Sequence, residues 1–190
     1  MGDMLSGLSE EEKREIIRFG IERGRILLFS SMGIILLGYL FDVLKESIVF
    51  LPALYFLRIY AGGYHAKTQT RCLVLSVIIV SVCFGSIKYL YGCSKVIIFL
   101  IALITGGIIW KFAPVENQNK LLDNMEKKEY QKKAKTVLLC QLSVLVWSYY
   151  FDCTKVFIGI ILAVVTTGIG VVGGKIQNLI LEKNPRYRQR

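Results

Sequence analysis

A chain of 190 residues with 54% hydrophobic side chains and a mean hydropathy of +0.51 is too apolar for an ordinary soluble domain and far too apolar for disorder. The 20% of residues that are charged must then be gathered into blocks. A formal charge of +10 on such a chain points to basic loops of a membrane protein before it points to nucleic acid.

The first 25 residues are polar and read as lacking a signal peptide. Met1-Gly2-Asp3-Met4-Leu5-Ser6 matches the myristoylation pattern, but a match this short in a chain with its own membrane segments is accounted for by chance. Ser9 and Glu12 have capping-box spacing, and Ile16, Ile17, Gly20, Ile21 and Gly24 recur at helical intervals with Lys and Arg on the other side. This predicts an N-terminal helix, either amphipathic and lying in the membrane interface or a cytoplasmic extension of the first crossing.

Six stretches hold no charged residue: 26–41, 47–57, 72–87, 96–110, 136–151 and 156–174. Most fall slightly short of the roughly 20 apolar residues of a straight span, but Arg25, Lys88, Lys95, Lys111, Lys135 and Lys155 flank them and can reach the interface. The second stretch is short and contains Pro52. If all six cross with the N-terminus inside, only Lys45, Lys88, Lys95 and Lys155 of the 24 basic residues lie outside; omitting the second crossing places 16 outside. The positive-inside bias therefore predicts six crossings with both termini cytoplasmic. The expected fold is all-α and polytopic, one membrane-embedded domain over 1–190. Residues 1–25 form the N-terminal helix, 26–177 the transmembrane bundle and 178–190 a basic cytoplasmic tail. No internal repeat, low-complexity tract or linker stands out. The polar interval 116–135 reads as a solvated inner loop.

The chain's one histidine, His65, lies on the inner side between the second and third stretches, and Cys72 follows seven residues later. A Cys and a His in one segment are a candidate nucleophile and base. Arg71 and a helix N-terminus at Cys72 would favour the thiolate, and Gly62-Gly63 permits a tight turn or close approach of a substrate chain. On a straight helix residues seven apart are separated by about 10.5 Å, whereas a His–Cys hydrogen bond needs roughly 3 Å. The pair therefore requires a bend, expected over residues 66–70.

Arg58-x3-Gly62-Gly63-x-His65-x6-Cys72 resembles the signature of the accessory gene regulator B (AgrB) family of bacterial membrane cysteine peptidases. Ala113-Pro114-Val115-Glu116-Asn117-x-Asn119-Lys120 resembles a second landmark of that family, with Lys120-Leu121 where Lys-Pro is usual. The resemblance implies a thiol protease of the cell membrane acting in quorum sensing; one histidine and no Cys-x-x-Cys give no expected metal site, and no cofactor is expected. Its substrate would be a short propeptide with an amphipathic leader and an acidic tail. Cys72 and His65 would be catalytic, Gly62, Gly63 and Arg71 supporting, and Arg58 either a substrate-carboxylate partner or structural. Lys120, Lys127, Lys128, Lys132 and Lys133 would attract the acidic tail.

The remaining cysteines read as structural. Cys83 and Cys140 fall inside crossings, and Cys93 and Cys153 fall in outer turns where a disulfide is geometrically allowed. Gly168, Gly170, Gly173 and Gly174 form a small-residue seam, serving either a homodimer or packing within the chain. The alternative class is a non-enzymatic transporter or scaffold in the lipid bilayer, but none of the six stretches carries the acid expected of an ion or substrate path.

Overall fold

The computed structural model describes residues 10–64, 69–115 and 123–182. They form six helices: α1 (Glu10–Leu40), α2 (Leu44–Ala61), α3 (Gln69–Tyr91), α4 (Lys95–Phe112), α5 (Asn124–Tyr150) and α6 (Thr154–Glu182). The protein is all-α, as its charge-free stretches predict. Among the described residues, four helices are long and apolar enough to cross a membrane: α1, α3, α4 and α6. The other two differ for identifiable reasons. α2 carries Lys45, Glu46 and Arg58 within 18 residues, and the first half of α5 is highly charged.

Three element boundaries bear on the sequence expectation. α1 runs unbroken from Glu10 to Leu40, so of the two arrangements expected for the N-terminal helix, residues 10–25 take the one that extends the first apolar helix. No proline interrupts that stretch, so nothing ends the helix at residue 25. Ser9 and the Met1–Ser6 pattern lie outside the described residues. At the other end α6 continues to Glu182, five residues into the segment expected as the basic tail. The interval 116–135 is not a loop throughout, because α5 begins at Asn124. Its Glu, Lys and Gln residues are good helix formers, and Glu129 and Lys133, four apart, pair at 2.7 Å.

α6 is the centre of the molecule. Phe157, Ile158, Ile161, Ala163, Val164 and Val171 are all buried. α2 and α4 flank it, and α5 packs against all three. α2 runs parallel to α6: a Cβ on Gly159 would lie 2.9 Å from the Glu46 carbonyl oxygen, and one on Gly170 would lie 3.0 Å from the Arg58 guanidinium. Between those points the two helices advance 12 and 11 residues, or about 17 Å at 1.5 Å each. On α4, a Cβ at Gly168 would meet Thr105 Cγ2 at 2.1 Å. Lipid offers apolar side chains no net gain on helix contact, so this close backbone approach is what holds such helices together. The glycine seam of α6 is thereby occupied within the chain, and it is not the free face that a homodimer at that seam would use.

The helices are joined alternately by short turns and longer segments. Residues 41–43, 92–94 and 151–153 are the short turns. Each sits in the same seven-residue pattern, Tyr-x-(Phe or Tyr)-(Asp or Gly)-x-x-Lys, at 39–45, 89–95 and 149–155. In each, the fourth residue's N–H (Asp42, Gly92, Asp152) donates to the carbonyl of the first (Tyr39, Tyr89, Tyr149), at 3.1, 3.1 and 3.4 Å. This is a threefold local repeat that the sequence reading missed, because the likeness does not extend into the helices. The turns are tied together at one end of the bundle: the Tyr91 hydroxyl donates to the buried Glu46 carboxylate, and Lys95 pairs with Asp152. Cys93 and Cys153 hold equivalent turn positions and are free thiols. The opposite end, with the longer connections, carries the candidate site.

Candidate active site

α2 ends at Ala61, where the chain leaves helical geometry through two glycines. Gly62 has φ 69° and Gly63 φ 146°, values that side chains with a Cβ rarely adopt. The extended piece that follows is clamped on two sides. Gly62 forms a parallel bridge with Val115 just after α4, and the Val115 N–H donates to the Ala61 carbonyl at 3.0 Å. Against α6, the Tyr64 N–H donates to the Gly170 carbonyl at 2.9 Å. Arg58, one turn back on α2, donates from Nη2 to the Tyr64 carbonyl at 3.3 Å. Both backbone polar atoms of the residue preceding His65 are therefore held, one by α6 and the other by α2.

His65 and Lys120 lie outside the described residues. Of the bend expected over residues 66–70, residues 66–68 lie outside the described residues, while Gln69 and Thr70 already belong to α3. Cys72 is the fourth residue of α3, in its first turn, and Arg71 beside it is exposed. α3 joins the bundle through its second half, where Val80, Phe84 and Ile87 are buried. Its first half is open: Leu73, Val74, Leu75, Val77 and Ile78 are all exposed. The Cys72 end of α3 thus stands clear of the packed core. Among the described residues no group of three or more His, Cys, Asp or Glu is placed to hold a metal ion.

Lys127, Lys128, Lys132 and Lys133 are exposed on the first half of α5. That half is docked beside the clamp by Tyr130, whose ring meets Tyr60 edge-to-face, and by Lys133 over the same Tyr60 ring. The Lys133 hydrogen bond and charge hold the Glu129 carboxyl below its ordinary range, and Glu129 raises Lys133 in turn. Further along α5, buried Gln141 donates from Nε2 to the Ala53 carbonyl at 2.7 Å and ties α5 to α2.

Tyr64, Val115, Gly170 and Gly174 belong to this site, and the sequence reading did not assign them to it. Val115 was legible only as part of the second landmark. Gly170 and Gly174, four apart on a helix, signal a close approach without naming what approaches.

The accessory gene regulator B family profile matches residues 4–171. A protein of Clostridium perfringens (strain SM101 / Type A) named as AgrB-like is 32% identical over 137 residues, covering 68% of this chain and 64% of its own length. Protein FsrB of Enterococcus faecalis is 32% identical over 128 residues, covering 62% of this chain and 50% of its own. The match thus spans between half and a little under two-thirds of the length of these curated relatives. No solved structure matches it. A family profile that covers most of the chain, including both segments of the clamp and Gly170 of α6, identifies the protein as a member of the AgrB family.

Proposed function

We propose that this protein is a membrane cysteine endopeptidase that removes the acidic C-terminal tail of a quorum-sensing propeptide and promotes closure of the remainder into a thiolactone or lactone. The observation that carries the reading is the clamp. Arg58, Gly62, Gly63 and Tyr64, four positions of the signature segment, are fixed against Val115 and α6 immediately before His65, with Cys72 in the first turn of α3. The Cys72 thiolate attacks the carbonyl at the tail junction, favoured by the helix N-terminus and by Arg71. The C–N bond breaks as His65 delivers the thiol's proton to the departing amine. The acyl group is left as a thioester on Cys72. A Cys or Ser side chain within the peptide then displaces it, forming the ring and returning the thiolate. One thioester is exchanged for another in the thiolactone case, so the main requirement is exclusion of water, which an interface site beside apolar helices serves.

In the same reading all six helices cross the membrane, with the long-connection end cytoplasmic. α2 lies beside α6 over about 17 Å, which supports equal depth for both. The basic residues concentrated at the clamp end support the orientation.

The test uses purified protein and a synthetic propeptide with an amphipathic leader, an internal Cys and an acidic tail. Mass spectrometry should show tail release by the parent and none by Cys72→Ala or His65→Ala. Full release by either variant overturns the assignment, and Ser at Cys83, Cys93, Cys140 or Cys153 should leave cleavage largely intact.

A further inference from the structure

Three glycines in one stretch of α6 face the residues before His65, and they are loaded differently. A Cβ on Gly174 would lie 2.8 Å from the carbonyl carbon of Gly63, 2.9 Å from Val115 Cγ1 and 3.0 Å from the Tyr64 nitrogen. A Cβ on Gly170 would lie 3.0 Å from Arg58 Nη1 and touch only that guanidinium within 4 Å. A Cβ on Gly173 would meet Tyr64 Cβ at 3.6 Å, an ordinary contact. Alanine is the better helix former at all three positions, so α6 itself gains nothing from glycine there.

We propose that Gly170 and Gly174 are positioning residues of the peptidase site, setting the Tyr64–His65 peptide unit and through it the distance from His65 to Cys72. Gly170 acts twice. Its carbonyl accepts the Tyr64 N–H, and its missing side chain leaves room for the Arg58 guanidinium that holds the Tyr64 carbonyl. Gly174 lets the extended backbone lie directly on the helix, with Val115 wedged beside it. A methyl at 174 pushes that backbone outward; a methyl at 170 pushes the guanidinium away from the carbonyl it holds. The methyl at 170 meets only a guanidinium and spares the core, so the fold survives while the His–Cys geometry loosens; the methyl at 174 also presses on Val115 and backbone. The proposal rests on the reading of Cys72 and His65 as a reacting pair, where a misplacement of about 1 Å costs on the order of a hundredfold in rate.

The experiment reads Cys72 itself and needs no substrate. Full-length protein in nanodiscs, with Cys83, Cys93, Cys140 and Cys153 changed to Ser, is alkylated with iodoacetamide across a pH series. The parent should show an inflection well below the free-thiol value of about 8.5, and His65→Ala should move it up. Gly170→Ala and Gly174→Ala should move it up as well, and at low pH alkylation should slow about tenfold for every pH unit the inflection rises. Gly173→Ala, which adds the same methyl within the same turn, should retain the parent profile, and helicity should be equal in all. Gly170→Ala meets only the far end of a side chain and carries the test by itself if Gly174→Ala does not fold. If Gly170→Ala and Gly174→Ala keep the parent profile while His65→Ala loses it, the positioning role is overturned and the His–Cys pair stands. If His65→Ala also keeps the parent profile, the pair fails and the positioning role falls with it.

Discussion

Tyr60 and Tyr130 meet edge-to-face with ring centroids 6.0 Å apart, and this contact sets the charged half of α5 two residues ahead of Gly62. The lysines of that helix are therefore held close to the clamp at a fixed orientation, as a mobile loop would not hold them. Lys128 and Lys132, four apart, share one helical face.

Changing Lys127, Lys128, Lys132 and Lys133 together to Gln should raise KM for a propeptide with an acidic tail and leave kcat little changed. Exposed charge pairs contribute about 0–1 kcal/mol each, so a collective effect of about 1–2 kcal/mol corresponds to a KM rise of roughly fivefold to thirtyfold. The parent's KM should itself rise with salt, since the attraction is screened over about 8–10 Å at physiological ionic strength, and the variant's KM should not. Unchanged KM and salt response in the folded variant would leave these lysines as a topology signal alone.

Arg58 distinguishes two roles kinetically. Its bond to the Tyr64 carbonyl predicts that Arg58→Lys, which keeps the charge but loses the planar fork, lowers kcat by roughly tenfold to a hundredfold with KM within about twofold. A partner of the substrate carboxylate would instead lose KM first, and steady-state kinetics on the purified variant separates the two.

Orientation is open to labelling of intact cells with a membrane-impermeant maleimide, using variants that keep one thiol each. Native Cys93, exposed in the second short turn, should label, and Lys128→Cys on the first half of α5 should not. The reverse pattern inverts the proposed topology.

The short turns carry a stability prediction. Asp42 has φ 59°, in the left-handed region that costs a residue with a Cβ about 1–2 kcal/mol, a cost that Asp tolerates better than most. Asp42→Gly should raise the melting temperature in detergent, and Asp42→Ala should lower stability by about 1 kcal/mol. Asp152 adopts nearly the same angle, φ 56°, but is paired with Lys95, so Asp152→Gly should gain less than Asp42→Gly.

The sequence alone determined the helical, membrane-spanning class. Runs of 11 to 19 residues without a charge, separated by basic blocks, have few other physical solutions. It also singled out a candidate segment, since its one histidine and a nearby cysteine follow a glycine pair that only a chain break uses well. Tertiary structure decided what those glycines rest on. Hydropathy is a property of one segment, whereas the fit of Gly63 and Tyr64 on Gly170 and Gly174 depends on two helices more than a hundred residues apart running parallel and in contact. The same holds for Arg58. Its charge at the end of an apolar stretch is equally consistent with a substrate carboxylate and with a backbone carbonyl, and only the placement of Tyr64 beside it reveals a backbone carbonyl among its partners. The lysine interval went from expected loop to helix because its i, i+4 pairing and its docking through Tyr130 come from neighbours that a count of charges does not weigh.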